Sequence, residues 1–217
     1  MNNGMKGFTL IELIVSIAIF AFMTALVMSK YGSFNQNTLL TNMAYDMAIT
    51  IRTAQSYGLS VKSADASNNI FSAPYGIHFD MSNSNNDKFI LFADKNPDYR
   101  YNANSTDDEA ITKYTLNSGV KIASICLGSS LNDCGVSNNL LGPGDKIDIR
   151  YKRPNPDAMF DCNGSAGGVC QVNNIASPTY NLNPEPVAII TLTSSDGNNR
   201  EYVFVRRNGQ ISVGLRN

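Results

Sequence analysis

The stretch that decides the fold lies near the N-terminus, where residues Phe8 to Met28 read FTLIELIVSIAIFAFMTALVM. These 21 residues carry a single charge, that of Glu12. In an α-helix, which rises about 1.5 Å per residue, they can cross the roughly 30 Å hydrocarbon core of a membrane. Lys6 stands just before the apolar run and favours a cytoplasmic N-terminus. The stretch therefore predicts a helix that anchors the chain in a membrane.

Two simpler interpretations of the apolar run fit less well. A secretory signal peptide has an apolar core of about 7–15 residues followed by a small-x-small cleavage site, whereas this run is longer and no clean site follows it. A plain membrane anchor does not explain Glu12, because a carboxylate deep in a bilayer costs roughly 2.5–3.5 kcal/mol on insertion scales. A carboxylate in such a place is tolerable when a cation pairs with it. Glu12 is therefore a candidate functional residue.

The segment Gly7–Leu13, GFTLIEL, resembles the type III signal of type IV pilins and type II secretion pseudopilins. The resemblance implies that a prepilin peptidase cleaves after Gly7 and that Phe8 becomes the N-methylated first residue. It also implies that Glu12 pairs with the N-terminal ammonium of a neighbouring subunit during filament assembly.

The helix is expected to continue beyond the membrane, because no proline occurs between Met1 and Pro74. It should run from Phe8 to about Tyr57, with Gly32 as a possible bend and Gly58 as its stop. The pattern of its second half is amphipathic, and its apolar stripe is predicted to pack on a sheet of the same chain. The stripe consists of Leu40, Met43, Met47, Ile51 and Ala54.

After residue 70 the apolar period changes to two, which predicts β-strands. No alternation of strands and helices follows, so the sheet should be antiparallel. Turns are predicted at Ser195–Asn199 and at Asn208-Gly209. The candidate strands are Tyr75–Asp80, Lys88–Ala93, Ile111–Leu116, Val120–Leu127, Lys146–Tyr151, Val187–Thr193, Glu201–Arg206 and Gln210–Val213.

These elements predict an α+β protein in which a long N-terminal helix packs on an antiparallel β domain, as in the pilin fold that the resemblance implies. The predicted parts are a leader peptide (1–7), a membrane-spanning helix half (8–28), an amphipathic half (29–58) and an extracytoplasmic β domain (59–217). A Cys-containing loop region, residues 126–170, lies inside the β domain. Scattered segments of the body resemble minor pilins of the GspH/FimT type, including the second helical half and the last hairpin.

The four cysteines fall at Cys126, Cys134, Cys162 and Cys170. The predicted topology places them outside the cytoplasm, where disulfides persist. Four cysteines allow three connectivities, of which the two local loops Cys126–Cys134 and Cys162–Cys170 are the simplest. A zinc site would normally show cysteines spaced two to four residues apart, so the spacing disfavours one.

Several polar groups are weaker candidates. Asp94, Asn96 and Asp98 have the oxygen spacing of a calcium loop but lack the rest of the EF-hand pattern, and a polar loop is the simpler interpretation. His78 should face solvent from a strand.

Two basic clusters are expected to be solvated, although the family resemblance permits DNA contacts at Arg206, Arg207 and Arg216. The clusters are Lys146, Arg150, Lys152 and Arg153, and Arg200, Arg206, Arg207 and Arg216.

The composition of the chain argues against some classes of function. The chain has 217 residues, a formal net charge of −1 and a single His. This balance argues against a broadly basic nucleic-acid binder and against His-based catalysis. We expect a non-enzymatic subunit without a cofactor, a minor pilin of a type IV pilus-like filament. Its expected partners are other pilin subunits, the prepilin peptidase and the inner-membrane assembly platform, with DNA as a further candidate.

The expected localisation is the inner membrane before assembly and the cell-surface filament afterwards. The alternatives are a pseudopilin of a type II secretion system and a DNA-binding minor pilin for DNA uptake.

Overall fold

The structure is a computed structural model that describes residues 7–64, 71, 73–82, 85–95, 100–102, 108–128, 140–141, 144–163 and 187–214. The chain divides into two units, Met1–Thr38 and Leu39–Asn217. One helix, α1, runs over 50 residues from Leu10 to Leu59. The predicted helix began and ended two residues earlier, and the observed helix passes through Gly32 without interruption.

The first part of α1 is apolar and exposed. Its segment Leu10–Met28 has 19 residues and a mean hydropathy of 2.5, and none of it is buried in the protein. By length and composition this segment can cross a membrane.

The second part of α1 carries the predicted apolar stripe. Met43 is partly buried and the other four members of the stripe, Leu40, Met47, Ile51 and Ala54, are buried. They share one core with strand residues such as Ile77 and Val203. The prediction that this stripe packs on a sheet is confirmed. Thr50, which does not belong to this stripe, is also buried, and its hydroxyl donates to the Asp46 carbonyl at 2.9 Å.

Two five-stranded sheets complete the core, where the sequence predicted one antiparallel sheet. The strands of the first sheet are β1 (Tyr75–Asp80), β2 (Lys88–Asp94), β3 (Asp108–Thr115), β6 (Lys146–Lys152) and β7 (Asn155–Asn163). The second sheet contains β4 (Lys121–Gly128), β5 (Leu140–Leu141), β8 (Val187–Thr193), β9 (Arg200–Arg206) and β10 (Ile211–Gly214). The orders are β3-β2-β1-β6-β7 and β10-β9-β8-β4-β5. Every pairing within the described residues is antiparallel.

Both predicted turns form hairpins. Gly197 lies in the turn between β8 and β9 with a φ of 73°, and Gly209 lies between β9 and β10 with a φ of 82°. A positive φ favours glycine, which explains why the chain has glycine at these two places. The Arg206 N–H donates to the Gln210 carbonyl at 2.9 Å and closes the second hairpin.

Strands β5 and β7 were not predicted. The first has only two residues. The second contains Pro156 near its start and occupies an edge of its sheet, where a proline is tolerated because no neighbour needs its missing N–H. β7 lies within the region 126–170 that the sequence predicts as a Cys-containing loop region.

The end of α1 lies very close to β6. A methyl group added at Gly58 would lie 2.8 Å from the carbonyl carbon of Tyr151. The Arg153 N–H donates to the Gly58 carbonyl at 3.2 Å. Gly58 therefore lets helix and strand approach each other, in addition to its predicted role near the helix end.

Candidate assembly site

The candidate assembly site is the first turn of α1, where Glu12 lies at the third helical position. The Thr9 hydroxyl accepts a hydrogen bond from the Glu12 N–H at 3.3 Å. In return, the Glu12 carboxylate accepts long hydrogen bonds from the Thr9 N–H at 3.5 Å and the Thr9 hydroxyl at 3.4 Å. This reciprocal pair is a capping box, which satisfies backbone N–H groups that a helix start leaves without partners.

The sequence signal for this cap is Thr-x-x-Glu in front of an apolar run. The family resemblance implied pairing of Glu12 between subunits, and its local partner, Thr9, was missed. Glu12 therefore has a structural role within one chain before any second subunit is present.

The surroundings of Glu12 are apolar and open. The exposed fractions of Phe8, Leu10 and Ile11 are 81%, 75% and 71%. A shallow pocket at this turn is lined by Thr9, Ile11, Glu12, Val15 and Ser16. Lipid or neighbouring apolar helices can cover the exposed apolar side chains. The carboxylate then needs a cation as its partner.

The predicted processing site lies directly before this turn. Gly7 and Phe8 precede the helix and are exposed. A methyl group added at Gly7 would meet no atom within 4 Å. The peptide bond between them is thus accessible to an enzyme.

Comparison with known families decides the identity of this segment. Residues 2–28 match the family model described as the prokaryotic N-terminal methylation motif. The chain carries the methylation motif of the type IV pilin and pseudopilin family. The motif covers Gly7, Phe8 and Glu12, and in pilin-type proteins it implies processing by a prepilin peptidase and assembly with other pilin subunits. No curated protein and no solved structure matches the chain.

Two of the predicted disulfide cysteines lie among the described residues. Cys126 lies in β4, buried in a small cluster with Ile189 and Tyr202. Cys162 lies in β7, buried in the main core. Cys134 and Cys170 lie outside the described residues, so the pairing stays a prediction.

The calcium candidate Asp94 lies at the end of β2 and is buried. Its Oδ2 lies 3.4 Å from Nη1 of Arg150, which is also buried. Arg150 was expected in a solvated basic cluster, and that prediction was wrong. Asn96 and Asp98 lie outside the described residues. Within the part of the chain that the structure describes, no group of three or more His, Cys, Asp or Glu could hold a metal ion.

One of the arginines proposed for DNA contacts, Arg207, lies near other basic groups. Arg206 ends β9, and Arg207 follows it. Arg207 lines a groove together with Lys152 and Arg153, so the fold brings together members of both basic clusters. Arg153 also donates to the Phe71 carbonyl. Arg216 lies outside the described residues.

The prediction that His78 faces solvent was wrong. His78 is buried, and its Nδ1 lies 2.7 Å from Oδ1 of Asp148. The alternation placed His78 on the correct face of β1, but that face is covered. The Tyr101 ring lies 4.8 Å from the imidazole, and the Tyr101 N–H donates to Oδ2 of Asp148 at 3.1 Å.

Proposed function

We propose that this protein is a structural, non-enzymatic subunit of a type IV pilus-like filament, and specifically a minor pilin of the GspH/FimT type. The observation that carries the proposal is the methylation motif over residues 2–28, joined to an exposed apolar helix segment that contains Glu12. The long helix and the antiparallel β domain support the pilin fold. The GspH/FimT assignment rests on the scattered sequence resemblance.

The proposed mechanism uses α1 twice. Before assembly, the segment Leu10–Met28 holds the subunit in the inner membrane. During assembly, an assembly platform moves this apolar surface from lipid into a bundle of equivalent helices, which keeps it away from water. Glu12 then exchanges its local contacts with Thr9 for the methylated ammonium of Phe8 on a neighbouring subunit. This ion pair sets the register because an unpaired carboxylate in an apolar bundle is unfavourable.

The test is the variant Glu12→Ala in cells that make the filament. We expect the variant to be cleaved after Gly7 but to be absent from sheared filaments. The matched control is Asp46→Ala, which removes an exposed carboxylate from the second half of the same helix and should assemble normally. Normal assembly of Glu12→Ala would refute the register mechanism.

A pseudopilin of a type II secretion system would carry the same motif and helix. The two functions differ in where the processed protein accumulates. A surface filament releases the processed chain on shearing, whereas a secretion pseudopilus retains it in the cell envelope.

DNA binding is a second candidate function, favoured by the groove that Lys152, Arg153 and Arg207 line. A few cationic side chains give weak, salt-sensitive binding to phosphates. The test is a gel-shift titration of the full chain in a non-ionic detergent, with increasing salt. The variant Arg207→Gln should weaken binding, and the matched control Arg52→Gln should not, because Arg52 lies on α1 and donates to the Ile211 carbonyl. Absence of binding at low salt would exclude this function for the isolated chain.

A further inference from the structure

The first sheet has a pocket on the face that points away from α1. Its inner face contributes Ile77 and Ile149 to the core, so the alternating residues His78 and Asp148 belong to the outer face. A cavity of about 270 Å³ opens there. The volume of the cavity is slightly smaller than that of usual small-molecule sites, roughly 300–1,000 Å³. It therefore suits a ligand of the size of a monosaccharide.

Three strands each bring one lysine to this pocket. Lys88 belongs to β2, Lys113 to β3 and Lys146 to β6, and all three line the cavity. The strand register accounts for two of them, because His78 pairs with Ile90 and Ile90 with Lys113 in one cross-strand row, and Asp80, two residues along β1, pairs with Lys146. Residues in such a row have neighbouring side chains on one face.

The described lining of the pocket carries more positive than negative charge. Asp80 is the one carboxylate among the lining residues that the structure describes, and its Oδ2 lies 3.6 Å from Nζ of Lys146. Asp80 also accepts a hydrogen bond from the Ser82 N–H at 2.9 Å. Lys88 makes a 3.8 Å ion pair with Asp87, but this pair is half exposed and exposed pairs contribute little. Within the described lining, three ammonium groups therefore stand against one carboxylate.

The floor of the pocket is hydrogen-bonded and partly apolar. Nδ1 of His78 lies 2.7 Å from Oδ1 of Asp148, which orients the imidazole. The Tyr101 ring packs at a tilt on the imidazole of His78 and lies 5.2 Å from the Phe92 ring. Ile90 and Tyr101 add apolar surface, and Asn85 adds an amide.

We propose that this pocket binds a small carboxylated or phosphorylated ligand, with sugar acids as the best match. Lys88, Lys113 and Lys146 would hold the anionic group, because several converging cations favour a compact anion. Tyr101 and Ile90 would contact the apolar face of the sugar ring, and Asn85 would bind a hydroxyl group. Every described lining residue lies in the β domain of a single chain, so the proposed contacts need no neighbouring subunit.

The test uses the full chain in a non-ionic detergent at low ionic strength, with isothermal titration calorimetry. The probes are glucuronate, inorganic phosphate and the neutral sugar glucose. We expect at least one anion to bind and glucose not to bind. Glucuronate binding stronger than phosphate binding would identify the sugar ring as part of the ligand, whereas equal binding would identify the anionic group as the shared chemistry.

The variants Lys113→Gln and Lys88→Gln should each weaken anion binding by roughly 3- to 10-fold. The matched control is Lys121→Gln, which removes an exposed lysine from β4 in the other sheet and should leave the affinity unchanged. Absence of anion binding to the unmodified chain would overturn the proposal. Equal loss in all three variants would also overturn it, because the effect would then come from total charge and not from the pocket.

Discussion

At the scale of single residues, Glu12 has two competing partners. Within one chain its carboxylate makes long contacts to Thr9, between 3.4 and 3.5 Å. In a filament, the proposed partner is a cationic amino terminus. Long contacts to a neutral residue are weaker than a charge-assisted hydrogen bond, so the exchange of partners favours the assembled state.

Thr9→Val tests the contact between Thr9 and Glu12 within one chain, because it removes the capping hydroxyl and keeps Glu12. Loss of such a cap typically costs about 1 kcal/mol. We expect faster amide hydrogen exchange at residues 10–13 of the full chain in detergent. Thr24→Val is the control, since the Thr24 hydroxyl donates to the Phe20 carbonyl inside the helix and caps no helix end. Unchanged exchange in Thr9→Val would show that Thr9 does not stabilise the helix start.

Asp80 predicts a pH dependence of stability. Burial raises the pKa of the Asp80 carboxyl, but hydrogen bonds from Ser82 and Asn85 and the charge of Lys146 outweigh burial and hold the pKa below its usual value. A carboxyl group whose pKa is lower in the folded than in the unfolded protein stabilises the folded state at every pH above the unfolded pKa. This stabilisation disappears as the pH falls through the folded pKa. Asp80→Asn should therefore lower the unfolding free energy at pH 7 and lose this effect in acid.

The measurement is urea unfolding of the full chain in detergent between pH 7 and pH 2. Asp157→Asn, which alters an exposed carboxylate in β7, is the control. An effect of Asp80→Asn that stays constant over this pH range would contradict the assigned pKa shift.

At the scale of elements, the contact between the end of α1 and β6 depends on Gly58. A Gly-to-Ala change inside a helix normally stabilises it by up to about 1 kcal/mol. Here the added methyl group would meet the Tyr151 backbone, so Gly58→Ala should lower the unfolding free energy by roughly 1–3 kcal/mol. Urea unfolding checks the sign, with the exposed neighbour Ser56→Ala as control at about zero change. A stabilised Gly58→Ala would contradict the close approach.

At the same scale, the positions of two cysteines bear on the disulfide prediction. Cys126 lies in the second sheet and Cys162 in the main core beside the first sheet, in separate clusters. This placement disfavours a direct bond between them, since a disulfide needs Cβ atoms about 4 Å apart. Peptide mapping of the full chain without reduction should therefore yield no peptide that joins Cys126 to Cys162, and the two local loops stay the simplest of the remaining pairings. A peptide joining Cys126 to Cys162 would contradict the placement in separate clusters.

Patterns local in sequence predicted most elements, because helix and strand periods and turn chemistry act over a few residues. The apolar helix, its buried stripe and both glycine hairpins follow from such patterns. The buried charge pairs do not follow from such patterns, because their members are far apart in sequence. His78 and Asp148 are 70 residues apart, and Asp94 and Arg150 are 56 residues apart. No short-range pattern reveals a partner at that distance, so the burial of His78 and Arg150 was missed. The same limit hid the convergence of three lysines at the outer pocket.

At the scale of the whole molecule, the two units carry the features behind different proposed functions. The unit Met1–Thr38 contains the methylation motif and the exposed apolar segment, on which the proposed anchoring and assembly depend. The unit Leu39–Asn217 contains both sheets, the basic groove and the lysine-lined pocket, on which the proposed recognition of ligands depends. Assembly variants and ligand-binding variants should therefore affect separate measurements.

The most direct test of the central claim is mass spectrometry of the N-terminal peptide of the protein in sheared surface filaments. We predict a chain that begins with N-methylated Phe8 and is present in a small amount relative to the main subunit. An abundant chain with the same N-terminus would keep the pilin assignment and contradict the minor role. An uncut N-terminus that still contains Gly7 and the residues before it would contradict the assignment itself.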